Sequence, residues 1–174
     1  MHRIVRVLYL VSLICAALVL GLTLNHVLQA PGSRALSGPE WLTVQHTFYG
    51  GFAVVGGIAE VVGLIATVAL TITSLKGHTI AGTAAPVIAA LCFLGTLLVY
   101  WFGNRPINAL VAIWSPATLP SDWSWYRNSW ETAHAISACL GTVAFLALAI
   151  ALLWRRTPSE GSARCSAQDD PNMA

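Results

Sequence analysis

The side chains able to do chemistry in this chain are few, and most sit in apolar surroundings. Glu60 is the only acidic residue well inside a hydrophobic run. An ionisable group there is expensive and tends to be functional. It suits a general base or proton carrier, or else a hydrogen bond across helices to a Ser or Thr. At about 100° per residue, His46, Tyr49, Ala53, Gly56 and Glu60 fall within roughly 80° of one another, so one helical stripe runs from a His and a Tyr down to the carboxyl. Glycines at 50, 51, 56, 57 and 63 flank it. They serve close helix packing or leave room for a flat ligand. A second stripe joins Trp123, Arg127, Trp130 and His134, at steps of four, three and four.

The histidines raise the question of metal. His26, His46 and His134 come from three predicted helices at similar depth, so they are the ligands to expect if a transition metal or a bis-His haem is present. His46 and Glu60 lie about 21 Å apart along one helix and cannot share an ion. Glu131 and His134 form a Glu-x-x-His step, which di-iron bundles carry twice with further glutamates. Here it occurs once, and no cofactor is predicted, with haem or a transition metal left open.

These residues need a scaffold, and composition says which. A chain of 174 residues that is 56% hydrophobic and 9% charged, with mean hydropathy +0.70, cannot hide that apolar surface in a water-soluble fold of its size. The expectation is an all-α, integral membrane four-helix bundle forming a single domain over residues 1–154. The net charge of +2 gives no ground for nucleic-acid binding. Cys15, Cys92, Cys139 and Cys165 make no CxxC pair, and the outer loops carry no cysteine, which excludes a disulfide generator of the four-helix type.

Spans are expected at about residues 7–26, 39–75, 80–102 and 121–154. The first is too long for a signal peptide and reads as a retained anchor. Pro39 with Glu40 marks the start of the second, and Ser121 with Asp122 the start of the fourth. Both are longer than a bilayer requires, so both should project beyond the outer membrane face. Pro86 should kink the third. Lys76, Gly77 and His78 form a basic turn, and residues 155–174 read as a disordered cytoplasmic tail.

Arg3, Arg6, Lys76, Arg155, Arg156 and Arg164 mark one end of the bundle, against Arg34, Arg105 and Arg127 at the other, which predicts both termini in the cytoplasm of a multi-pass protein of the inner (plasma) membrane. A Trp-rich segment then lies outside, between the third and fourth spans. Five of the seven tryptophans, Trp101, Trp114, Trp123, Trp125 and Trp130, lie in or just before residues 104–134. An aromatic belt accounts for single tryptophans at that level but not for the stripe.

The four-span layout, with Asn104-Arg-Pro-Ile-Asn108 after the third span and Trp114, Pro120, Asp122-Trp123, Arg127, Trp130 and His134 leading into the fourth, resembles the anthrone-oxygenase-like family of small membrane proteins. Its specific motifs are confined to residues 104–134. Family members often carry an Arg three residues after the His; here Ser137 stands there. The resemblance implies an oxidoreductase, a monooxygenase-like protein that oxidises anthrone-like compounds with O2 and no obvious cofactor.

Both lines fit one scheme. A flat aromatic or phenolic substrate lies against Tyr49 and Trp130, with Trp123 and His26 completing its site. His134, with His46 or His26 second, removes a proton, and Asn108 and Arg127 stabilise the developing oxyanion. Glu131, four residues on from Arg127, could orient that guanidinium. The competing classes are a non-enzymatic accessory subunit that binds a partner through its Trp-rich surface, and a haem or metal protein using the outer histidines.

Overall fold

In a computed structural model, residues 2–76 and 80–154 are described, and all of their regular structure is helical. Helix α1 spans His2–Ser33, α2 Gly38–Phe48, α3 Gly50–Lys76 and α4 Ile80–Val99; a π-helical turn at Tyr100–Asn104 leads into α5, Arg105–Val111, and α6 spans Trp123–Trp154. Four stretches are long and apolar enough to cross a membrane: Arg3–Ser33, Gly50–Lys76, Gly82–Val111 and Trp123–Leu153. Helix α1 packs against α3 and α6, and α4 against the same two, so the four long helices close a ring in chain order. Residues 77–79 of the basic turn and the tail 155–174 lie outside the described residues.

The interior of the ring is built from small and medium side chains, with Ala16, Ala59, Ala89 and Ala144 beside Leu70, Phe93 and Leu148. The outside is as apolar as the inside, for Ile4, Leu10, Ile58, Ile65, Leu91 and Leu153 are exposed. A helix apolar all round belongs in hydrocarbon. Buried hydroxyls are satisfied locally: Ser12, Thr23 and Thr67 donate to the carbonyls of Leu8, Val19 and Gly63, four residues back.

Away from the span cores, several boundaries differ from the sequence expectation. Helix α1 runs through Pro31 to Ser33, and the chain turns at residues 34–37 instead. The expected continuous helix over 39–75 is broken at Tyr49 (φ −97°, ψ −2°) just before the Gly50–Gly51 pair. The break lets α2 lean over the bundle and bury Trp41 and Leu42 against Ile107, Val111 and Trp130. A Cβ on Gly38 would run into Leu119 and come within 3.0 Å of Trp123, so any side chain at the start of α2 would have to displace them.

The third span continues past residue 102. Pro106 has no N–H to give and would crowd the carbonyl four residues back. The π turn, in which the Arg105 N–H bonds to the Tyr100 carbonyl, widens the helix just before it. Pro86 sits buried inside an unbroken α4. Helix α6 starts at Trp123, two residues past the expected cap Ser121, after a turn in which the Pro120 carbonyl accepts the Trp123 N–H at 3.1 Å.

Residues 34–49 and 104–134 thus gather at one end of the bundle, here called the cap end. Glu40 anchors the start of α2 there. Its Oε2 accepts the Ser37 N–H at 2.8 Å and the Ser37 hydroxyl at 2.6 Å, which holds its carboxyl below the ordinary 4.5. A depressed carboxyl pKa stabilises the fold above the unfolded value, and that contribution disappears as pH falls through the folded one. The Ser37 amide resonance is therefore expected to titrate with a midpoint below 4.5, and to lose that transition in Glu40→Gln.

Candidate functional site

A cavity of about 260 Å³ opens inside the cap end, lined by His26, His46, Tyr49, Gly56, Glu60, Asn104, Asn108, Trp130 and His134 among others. Four parts of the fold supply it. Helix α1 gives His26, α2 and the break after it give His46 and Tyr49, α3 gives Glu60, the π turn and α5 give the two asparagines, and α6 gives Trp130 and His134.

His26 is the centre of its aromatic wall. Its ring lies 4.1 Å from that of His134, 4.7 Å from that of Tyr49 and 4.7 Å from that of Trp130, which meets it edge-on. Trp130 also meets His134 edge-on at 4.3 Å. The Nδ1 atoms of His26 and His134 are buried and have no hydrogen-bond partner within the protein.

Two hydrogen bonds orient the remaining polar groups. His46 Nε2 lies 2.9 Å from the Val111 carbonyl. A carbonyl only accepts, so Nε2 carries a proton and Nδ1 is the ring nitrogen left outside this bond. Asn108 Oδ1 accepts the Trp130 indole N–H at 2.8 Å, which leaves the Asn108 NH2 free to donate. Asn104, buried, donates to the Trp130 carbonyl at 3.2 Å and fixes the backbone behind that ring. The Tyr49 hydroxyl donates to Gln29 Oε1 at 2.5 Å. Burial, and after it the Glu131 carboxylate, raises the Tyr49 phenol above its ordinary 10.0, so it stays protonated at neutral pH. Glu60, buried at the floor, shares a hydrogen bond with the Thr96 side chain of α4.

Seven of the nine residues singled out from the sequence line this cavity: His26, His46, Tyr49, Glu60, Asn108, Trp130 and His134. Arg127 and Trp123 do not. The Arg127 guanidinium stacks 4.9 Å over the Trp123 ring, and its Nη1 donates to the Ser33 carbonyl at 3.4 Å, tying the start of α6 to the end of α1. Glu131 pairs with Arg34 (Nε to Oε2, 2.9 Å) and not with Arg127, which corrects the partner expected from its spacing. Asn104 and Gln45 also line the cavity and were not singled out; Asn104 stands in the motif at the end of the third span, while nothing about Gln45 marks it.

A second chamber of about 450 Å³ lies against the first and shares His26, Gln45, Tyr49 and Trp130 with it. Glu131 Oε1 and Trp41 Nε1, residues of its lining, are both buried without a protein partner.

Among the described residues no three His, Cys, Asp or Glu side chains come together as a metal site. With metal–nitrogen bonds of about 2 Å, opposite axial imidazoles of a haem stand roughly 6 Å apart centre to centre. The His26 and His134 rings, at 4.1 Å, do not fit that arrangement.

Asn108→Ala should leave the buried Trp130 indole N–H without an acceptor, at a cost of about 1–3 kcal/mol, or roughly 2–4 °C of melting temperature per kcal/mol in a chain of this size. In the Trp130→Phe background the same change should cost far less, and calorimetry of all four proteins in one detergent measures the difference. Equal costs in both backgrounds would mean that the indole bond does not form.

Compared with known proteins, the chain matches no family model, no curated protein and no solved structure.

Proposed function

We propose that this protein is a membrane-embedded, oxygenase-like enzyme that binds a flat aromatic or phenolic, anthrone-like substrate in the cap-end cavity and oxidises it with O2. The observation that carries the reading is the convergence of three histidines, a buried carboxyl, an oriented amide donor and an aromatic wall on one cavity. Acid–base groups beside a flat apolar slot suit proton abstraction from a weakly acidic ring carbon. The resemblance of residues 104–134 to the anthrone-oxygenase-like family supplies the choice of O2 as co-substrate.

In this reading the substrate ring lies between Tyr49 and Trp130. His134 takes a proton from the ring CH2, and the freed NH2 of Asn108 donates to the adjacent oxygen as it gains charge. The carbanion adds O2 to give a peroxide anion. That anion regains the proton and loses water, leaving a ketone, so CH2 and O2 become C=O and H2O. His46, through its Nδ1, and His26, which borders both chambers, are the further acid–base groups. Trp123 and Arg127 act at a distance, by holding α6 against α1.

The same reading places the cap end outside the cell. Arg3, Arg6 and Lys76 lie at the opposite end, and in the sequence Arg155, Arg156 and Arg164 add to them against Arg34, Arg105 and Arg127 at the cap end, a balance that supports both termini in the cytoplasm of an inner (plasma) membrane protein. The excess length of α6 and the leaning α2 then project beyond the outer membrane face. The bilayer and a small aromatic substrate are its partners.

The test is oxygen uptake by detergent-purified protein given an anthrone, corrected for spontaneous oxidation. One O2 consumed per ketone formed is expected, and no excess over the spontaneous rate would overturn the reading. One observation favours a second reading: Phe102 (80% exposed), Ile113 (77%) and Trp125 (62%) leave apolar surface on the cap end, as an accessory subunit docking a partner would. Such a subunit would consume no oxygen with any anthrone.

A further inference from the structure

Resting on the cavity as the ligand site, we propose that its ligand is a neutral, lipid-soluble planar ring that comes in sideways from the bilayer, through a gap between α3 and α5. Helix α5 packs mainly on the π turn, whereas lower down α3 and α4 pack along each other. Gly57 and Ala53 of α3 border the cavity at the gap. A Cβ on Gly57 would meet nothing within 4 Å, and one on Gly56 only Leu22, at 3.7 Å. Nothing in the protein fills the space in front of this backbone.

The gap faces lipid. The α3 side chains next to it, Val54, Ile58 and Val61, are all exposed and apolar. Gly57 lies about 10 Å along α3 from the start of its span, below the interface of a bilayer whose hydrocarbon is about 30 Å thick. The other ways in are obstructed. The bond from His46 to the Val111 carbonyl ties α2 to α5 across the top. The contacting rings of His26, Tyr49 and Trp130 stand between the cavity and the second chamber.

The lining has a direction. Polar groups, His26, His46, Asn108 and His134, gather toward the cap and Glu60 closes the floor, while Leu22, Phe52 and Ala53 flank the apolar path between them. A ring with a carbonyl or hydroxyl on one edge would put that edge among the polar groups and trail the other toward the acyl chains. A charged ring would be held back by the hydrocarbon it must cross.

Two measurements test this, and the first needs no ligand. A nitroxide attached to Gly57→Cys, with Cys15, Cys92, Cys139 and Cys165 replaced by alanine, is read in proteoliposomes, and Ala53→Cys gives a second site should the first variant misfold. Collisions with O2 should dominate over those with the water-soluble nickel ethylenediaminediacetate. Equal access of the nickel complex would overturn the lipid-facing gap. The second compares quenching of Trp130 fluorescence, taken as the part lost in Trp130→Phe, by anthraquinone and by anthraquinone-2-sulfonate. Quenching by anthraquinone alone, with association slowed at least tenfold in Gly57→Trp, is expected. Equal quenching by the sulfonate, or an unchanged rate in Gly57→Trp, would overturn the route. Quenching and the route both intact, with no oxygen uptake, would refute the oxygenase reading alone.

Discussion

Replacing His134 by alanine is expected to lower substrate-dependent oxygen uptake by about 10² to 10⁴-fold, the usual contribution of a positioned general base. The ring sits on the cavity wall against His26 and Trp130, and its Nδ1 has no partner in the protein. Its place is therefore not explained by a structural hydrogen bond through that nitrogen. Removing it forfeits two ring contacts, each about 0.5–1.5 kcal/mol, so the melting temperature should fall only by several degrees. The large effect belongs to turnover and the small one to stability. Imidazole added to His134→Ala should restore part of the activity, since the variant leaves room for it beside the substrate. A merely structural ring would show no such rescue. Wild-type oxygen uptake in this variant would remove His134 from the mechanism and leave His46 and His26 as the bases to test.

What the sequence revealed of this site follows from what helical periodicity encodes. The stripe from His46 to Glu60 survives although the helix breaks within it, because the break is one residue long and Tyr49 keeps a right-handed helical φ and ψ. The turn shifts the direction of α2 and barely the phase of its side chains. The stripe on α6 divides, with Trp130 and His134 in the cavity and Trp123 and Arg127 above it. Periodicity reports the face of a helix and not the depth, and Trp123 stands about 10 Å along the axis from Trp130. The break itself was not legible, since Gly50 and Gly51 read equally well as packing glycines inside one long helix. Nor was the pairing of Arg34 with Glu131, which joins residues far apart in the chain through the turn after α1. The spans were legible for a simpler reason: no soluble arrangement hides so many consecutive apolar residues.

Gly63→Ala should be among the most damaging small changes in the chain. A Cβ on Gly63 would overlap the Phe93 ring of α4, and Phe93 is only 2% exposed, packed into the same core as Leu70, Ala89 and Leu148. The ring has nowhere to go, so α3 and α4 must separate. Overpacking of this kind costs about 1–3 kcal/mol, or roughly 2–12 °C of melting temperature for a chain of this length. The separation would fall one turn below Glu60, whose hydrogen bond to Thr96 spans the same two helices, so the cavity floor should loosen as well. Phe93→Leu in the Gly63→Ala background should recover much of the loss, because the atoms in conflict are those of the ring. Gly57→Ala, on the same helix with open space before it, should stay within about 0.5 kcal/mol of the wild type. A Gly63→Ala protein as stable as the parent would show that α3 and α4 do not meet at Phe93, and the floor of the cavity would have to be redrawn with them.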